Sequence, residues 1–339
     1  MKVAMFWERL ENGKVRCELC RHRCVIYPNK LGVCGVRVNK DSTLYTLVWG
    51  KPIALNIDPI EKKPLFHFLP GTKTFSLATV GCNFRCLNCQ NWEISQSRFE
   101  EGRIDKKEDY FLPEEVVRIT KERKCKSISY TYTEPTIFYE WAYDISKLAS
   151  KDGIYNIFVT NGYISEIALK EISPYLNAAN VDLKSFRKEF YHKIAGARLE
   201  GVLESLKLMK KLGIWIEVTT LLIPRLNDSK EELSDIANFI AKELGPETPW
   251  HISRFYPHYK MENIPPTPNS SLRNAREIGL KTGLKYVYTG NVPGDEGEHT
   301  YCPKCKRKII ERYGFSILSY KIKDGFCNFC GEKIEGFGL

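Results

Sequence analysis

The chain lacks the marks of a membrane or exported protein. No apolar run approaches the ~20 residues that a spanning helix needs; the stretch Ile214 to Pro224 is too short and contains Glu217. No N-terminal segment has the charged-then-apolar layout of a signal peptide, so a cytoplasmic location is the default expectation. Sequence repeats, low-complexity blocks and long Gly/Ser linkers are also missing, which argues against solenoids and disordered arrays. The charged fraction of 27% and apolar fraction of 43% are those of a soluble globular protein. A length of 339 residues accommodates one large domain with small modules.

Cysteine is what the chain has in number, with 12. In a large chain without an export signal, clustered cysteines argue for metal ligands in a reducing compartment rather than disulfides. They fall into three groups, and Cys125 is left over with no chemistry to assign. The formal charge of +10 invites a nucleic-acid reading. Ligating thiolates would offset much of it, however, and Lys/Glu-rich stretches such as Glu200 to Lys211 read as ordinary solvated helix faces.

The central group is Gly81-Cys82-Asn83-Phe84-Arg85-Cys86-Leu87-Asn88-Cys89-Gln90-Asn91. Cys82, Cys86 and Cys89 stand in C-x3-C-x2-C spacing, directly after the strand-like Thr74 to Val80. Three local thiolates can hold three irons of a four-iron cubane and leave the fourth open to a substrate or cosubstrate. A zinc knuckle with a distant fourth ligand is the alternative.

Between Thr74 and Asn291, short β-branched or aromatic runs alternate with longer amphipathic segments. Strands are expected at 74–80, 127–131, 156–160, 179–183, 214–222, 250–255 and 285–288. Helices are expected from Pro113 onward and at 136–150, 199–212, 229–244 and 271–282. Gly153, Gly213, Gly245 and Gly283 follow four of these helices as C-terminal caps. Repeated βα units mean parallel strands and an α/β fold, either a partial TIM-type (β/α) barrel or a doubly wound sheet. In a barrel the ligand sits at the C-terminal strand ends, where polar residues recur: Thr131 to Glu134, Thr160-Asn161-Gly162, Asp182 with Lys184, His251 with Arg254, and Gly290-Asn291. The segment Asp58 to Gly71 reads as a fixed loop. Its Lys62, Lys63 and His67 face an anionic substrate or tie the N-terminal module to the barrel.

The outer groups each supply four cysteines. Cys302, Cys305, Cys327 and Cys330 form C-x2-C…C-x2-C, a closed tetrahedral site for structural zinc, with a rubredoxin-like iron as competitor. Cys17, Cys20, Cys24 and Cys34 are spaced less regularly; zinc is expected there ahead of an iron–sulfur cluster, with His22 as a substitute ligand. The organisation expected is a four-cysteine module and lead-in loop over 1–72, a barrel over 73–299 and a zinc-ribbon-like module over 300–339.

At the central cysteines the chain resembles the radical S-adenosylmethionine (SAM) enzymes. The wider text is similar to the AmmeMemoRadiSam system radical SAM enzymes, relatives of the glycyl-radical and pyruvate formate-lyase activating enzymes. The matching segments are Asp58 to Gly71, Cys89 to Gln96, Tyr132-Thr133-Glu134-Pro135, Val181 to Lys184, Tyr288 to Asn291 and Thr300 to Pro303. The resemblance implies a partial barrel of about six core βα units with a [4Fe-4S] cluster on Cys82, Cys86 and Cys89. SAM bound to the open iron would be reductively cleaved to a 5′-deoxyadenosyl radical that takes hydrogen from a substrate the sequence does not identify. It also implies an external electron donor and Memo-like and AMMECR-like partners. Thr133 and Glu134 match a pair placed near the SAM amine, and Asp182 and Lys184 match an Asp-x-Lys pair placed around SAM. Asn161 is a polar neighbour, and His251 matches a histidine near the end of the SAM site. Asn88 stands where that family usually has an aromatic residue against the adenine. Two other functions compete: an activating enzyme that places a glycyl radical on a partner protein, and an RNA-binding or RNA-modifying protein using its zinc ribbon. Against the second, no basic stripe with interleaved aromatics surrounds Cys302 to Cys330, apart from Lys304, Lys306, Arg307 and Lys308.

Overall fold

The β-branched and aromatic runs between Lys73 and Gly290 pair into one sheet in a computed structural model that describes residues 1–97 and 110–339. The strands lie side by side in the order Val287–Gly290, Trp250–Arg254, Trp215–Leu222, Ala178–Asp182, Tyr155–Thr160, Ser127–Tyr130, Lys73–Ala78 and Ala54–Pro59. All pairings are parallel except the last, where Ala54–Pro59 runs antiparallel to Lys73–Ala78. This sequential order has no reversal, so the doubly wound alternative falls.

The seven expected strands are present, their ends displaced by no more than two residues. The edge strand Ala54–Pro59 was not anticipated. Its Leu55 and Ile57 are exposed, so it carries no buried run to read, and Asp58 and Pro59 close a strand rather than open a loop. The next residues, Ile60–Lys62, make a single 3-10 turn.

Helices Pro113–Glu122, Tyr139–Lys151, Glu166–Ile172, Leu199–Lys211, Lys230–Phe239 and Asn269–Lys281 connect the strands. Leu199–Lys211 shows why they pack: Leu199, Val202, Leu206 and Met209 recur at three- and four-residue spacing and are buried. The segment expected as helix 229–244 is α-helical to Phe239 and tightens no further; Ile240–Leu244 is π-helical. Glu166–Ile172 escaped the sequence pattern because seven residues show too little period, although Ser165 caps it by accepting from Ala168 N at 3.4 Å.

Residues before the sheet form two small three-stranded sheets. Their Val15, Ile26, Val36 and Leu44 join the core that includes Leu77, Tyr130 and Val181. At the other end, Cys302, Ile309, Ile310, Ile322 and Cys327 pack with Phe66, Tyr286 and Tyr288 in a separate cluster. No helix among the described residues is long and apolar enough to cross a membrane.

Candidate active site

The strand Lys73–Ala78 delivers the central cysteine loop to the C-terminal edge of the sheet. Three backbone bonds pin that loop: Gly81 N to Ile94 O at 2.8 Å, Arg85 N to Ala195 O at 2.8 Å, and Leu87 N to Ile194 O at 3.0 Å. Cys82, Cys86 and Cys89 then line one cleft of about 540 Å³. Phe84 N donates to Cys82 Sγ at 3.3 Å, and the Ser95 hydroxyl lies 3.1 Å from Cys89 Sγ. Burial pushes the Cys82 thiol well up, reinforced by the Glu134 carboxylate, and takes Cys86 up to about 11 against the pull of Lys184. Such thiols ionise readily only when a metal cation supplies the compensating charge. Three cysteines lining a roomy cleft therefore fit a cluster held through three of its irons.

The expected strand-end residues Thr133, Glu134, Asn161, Asp182 and Lys184 line the same cleft. Glu134 ties two strand ends together. Its Oε1 accepts from Thr136 N at 3.0 Å, Thr136 Oγ1 at 2.6 Å and Thr160 Oγ1 at 2.7 Å, while Oε2 accepts from Asn161 N at 2.8 Å. Burial pushes its carboxyl up, against these bonds to the charged form. Thr133 Oγ1 donates to Thr79 O at 2.8 Å, so the strand Lys73–Ala78 and its neighbour are joined just beyond their ends. Lys184 Nζ donates to Asp182 Oδ2 at 2.7 Å. Although burial works against its charge, Asp182 and the nearby Cys86 hold Lys184 firmly protonated.

His251 is a correction. Its side chain does not reach the cleft: Nε2 lies 2.7 Å from Glu217 Oε2, and the ring stacks on Tyr288 with centroids 5.0 Å apart. Ser253, two residues on, is the cleft residue of that strand. Two residues advance a strand by about 6.6 Å on one face, which leaves His251 one layer beneath the cleft.

The cleft also takes in Lys62 and Lys63, expected to face an anionic substrate or to tie the N-terminal module to the barrel, and Phe315, to which sequence reasoning assigned no task. Tyr132 lines it too, and Phe315 is carried by the turn after Lys308–Tyr313. Asp58 binds Lys62 at 2.9 Å, Lys63 at 2.7 Å and the Tyr132 hydroxyl, and Lys63 Nζ lies 4.4 Å from the Tyr132 ring centroid. Burial takes Lys63 down to about 8 despite Asp58. Tyr132 holds a left-handed φ of 63°, a strained conformation of the kind stored at working sites. His67 does not reach the cleft; its ring nitrogens meet Glu335 O and Tyr288 Oη, each at 2.6 Å. The Asn88 side chain is buried at the cleft wall and its Oδ1 has no partner among the described residues.

Away from the cleft, the sulfurs of Cys302, Cys305, Cys327 and Cys330 lie within 4.8 Å of one another, with Cys302–Cys330 at 3.6 Å and Cys305–Cys327 at 3.8 Å. Cys17, Cys20, Cys24 and Cys34 line one small cavity together with His22, which keeps its Nε2 on Asn83 O at 2.8 Å. Cys125 is buried and lines neither the cleft nor the N-terminal cavity.

A cysteine loop at the mouth of a parallel sheet, facing convergent charged strand ends, defines a class of cluster-dependent enzymes. Residues 76–240 match the model of the radical SAM superfamily and form a radical SAM domain. An uncharacterized protein of Methanocaldococcus jannaschii is 50% identical over 337 residues, covering 99% of each chain. The pyruvate formate-lyase-activating enzyme of Clostridium pasteurianum is 26% identical over 175 residues, covering 50% of this chain and 70% of that one. The crystal structure of a radical SAM methyltransferase from Sphaerobacter thermophilus has a TM-score of 0.50 over 68% of this chain and 71% of that one, at 12% identity, a likeness of fold.

Proposed function

We propose that the cleft binds SAM beside a [4Fe-4S] cluster held by Cys82, Cys86 and Cys89, and that the chain acts as the radical SAM enzyme of a Memo-associated system. Such a cluster, when bound, supplies one electron to SAM, and the resulting 5′-deoxyadenosyl radical takes a hydrogen atom from the substrate. The carrying observation is convergence: the three sulfurs, Glu134 and the Asp182–Lys184 pair share one cleft. Thr133 and Glu134 face the SAM ammonium, and Glu134 Oε2 takes only the Asn161 N bond among the described residues, which leaves it a lone pair. Lys184 and Asp182 face its carboxylate and ribose, and Asn161 lies between. The seven parallel strands serve as a partial barrel over 73–299, between a four-cysteine module over 1–72, which adds the edge strand Ala54–Pro59, and a zinc-ribbon-like module over 300–339. A Zn–S bond of about 2.3 Å sets tetrahedral sulfurs about 3.8 Å apart, which supports zinc at Cys302, Cys305, Cys327 and Cys330. An external electron donor and Memo-like and AMMECR-like partners complete the system.

Anaerobic reconstitution tests this. Reduced protein should convert SAM to 5′-deoxyadenosine, and cell extract should contain a molecule that exchanges hydrogen with deuterated SAM. Full turnover by protein with Cys82, Cys86 and Cys89 all changed to alanine overturns it. The likeness to the pyruvate formate-lyase-activating enzyme favours a second reading, in which the hydrogen comes from a glycine of a partner protein. A glycyl-radical signal in that partner, dependent on this chain and SAM, would decide for it.

A further inference from the structure

The two outer cysteine groups are built to different sizes. The C-terminal four gather their sulfurs to the edge of a single-ion tetrahedron, and no other group of three or more ligand atoms among the described residues comes within 4.8 Å of one another. Cys17, Cys20, Cys24 and Cys34 instead stand around a cavity, and no three of their sulfurs lie within 4.8 Å of one another. A four-iron cubane holds its thiolates further apart than one ion does, because the core stands between them. We propose that these four cysteines hold a second iron–sulfur cluster, which relays an electron to the cluster at Cys82, Cys86 and Cys89.

The walls suit an anionic core that carries bridging sulfides. Two buried donors among the lining residues have no partner among the described residues: Arg37 Nε and Asn83 Nδ2. The other Arg37 nitrogens are engaged, Nη2 with Met5 O at 2.7 Å and Glu140 Oε1 at 3.0 Å, and Nη1 with Glu140 Oε2 at 3.4 Å. A buried N–H left unpaired costs about 1–3 kcal/mol, and a sulfide or thiolate in the cavity removes that cost. A lone zinc ion leaves only its four thiolate sulfurs as acceptors; a cubane adds four sulfides.

Position supplies the role. Asn83 follows Cys82 and lines the N-terminal cavity. Its backbone oxygen accepts from His22 Nε2, and its Oδ1 accepts from Asn161 Nδ2 at 2.8 Å, across the wall in the SAM cleft. Thr136 lines the cavity and bonds Glu134 of the cleft. In the relay one electron leaves a reduced ferredoxin-type donor, enters the N-terminal cluster and passes on to its neighbour, each cluster returning to its oxidised state as it gives the electron up.

The cluster does not depend on the SAM reading; the relay does. Anaerobically purified wild-type protein should contain about eight irons with matching sulfide and about one zinc. Protein with Cys82, Cys86 and Cys89 changed to alanine should keep about four irons and a reducible cluster signal in electron paramagnetic resonance. About two zinc and at most four irons in wild type, or an iron-free triple variant that retains two zinc, overturns the site. Cys20→Ser/Cys24→Ser protein should keep the SAM cluster, yet its reduction by reduced ferredoxin should slow at least tenfold. An unchanged rate overturns the relay.

Discussion

Asp182 Oδ2 and Lys184 Nζ meet at 2.7 Å where one strand ends in the cysteine cleft. Adjacent alternating strand positions share a face, so the Asp-x-Lys spacing delivers both charges to the same wall. The pair is internally compensated, and a zwitterionic ligand can exchange partners with it without leaving a charge alone. Asp182→Ala removes one partner of a half-buried contact, a loss that costs ~2–5 kcal/mol when fully buried and sits at the low end where solvent screens Asp182. SAM affinity should therefore weaken at least tenfold while iron content stays at the wild-type value. Wild-type affinity would assign Asp182 to the sheet end or the substrate.

Beneath the cleft, Glu217 takes its hydrogen bonds from Phe66 N at 2.9 Å, His67 N at 2.8 Å, Trp215 Nε1 at 3.1 Å and His251 at 2.7 Å. Burial alone would raise its carboxyl, but the bonds from His251 and from Phe66 N bring it below its ordinary value. His67 is taken down to about 4 by burial, against Glu217, with Arg312 and His251 adding to the fall. The unfolded chain thus binds a proton that the folded chain refuses between pH ~6.5 and about 4. Stability should fall as pH drops through that window, by on the order of 3 kcal/mol for this histidine. Thermal midpoints measured against pH check it. His67→Gln protein should show a flatter dependence over the same window; an unchanged slope would place the loss elsewhere.

The sheet was readable because each of its parallel strands is a short buried run closed by a polar end. The reading failed where tertiary structure overrides pattern. Ala54–Pro59 is an edge strand held by its neighbour Lys73–Ala78 rather than by buried apolar side chains of its own. His251 carried a ligand-like identity at a strand that also presents Ser253, and sequence alone does not say which layer of the sheet a side chain occupies. Phe315 reaches the cleft from the chain's last module, a contact between positions far apart in sequence. The three cysteine groups were legible from spacing, whereas the size of the N-terminal cavity depends on how its loops stack on Gly81 and Asn83.

The C-terminal group should behave as a folding metal. Its sulfurs are already at single-ion spacing, and Cys302 and Cys327 lie in a core with Ile309, Ile310 and Tyr288. Structural zinc contributes ~10–16 kcal/mol of binding free energy in small modules. Cys305→Ala protein should lose about one zinc per chain and show a separate low-temperature unfolding step. Retention of that zinc with an unaltered melt would show that the four cysteines do not hold it.

Gly81 joins the cysteine loop to the N-terminal module. Its φ is +94°, and a Cβ there would stand 2.7 Å from Val36 Cγ1 and 2.8 Å from Cys34 O. The second neighbour is the backbone of Cys34, a cysteine of the N-terminal group, so it cannot swing away as a flexible side chain can. Gly81→Ala therefore combines a left-handed backbone penalty of roughly 1–2 kcal/mol with displacement of the segment that sets Cys82. Gly213 makes the control: its φ is +78° and nothing lies within 4 Å of its would-be Cβ. Gly213→Ala should lower the thermal midpoint modestly and leave iron untouched. Gly81→Ala should lower it further and cost the protein cluster iron, read as iron and sulfide per chain after anaerobic reconstitution. Equal midpoints and equal iron in the two variants would mean that the loops on either side of Gly81 are not braced against each other.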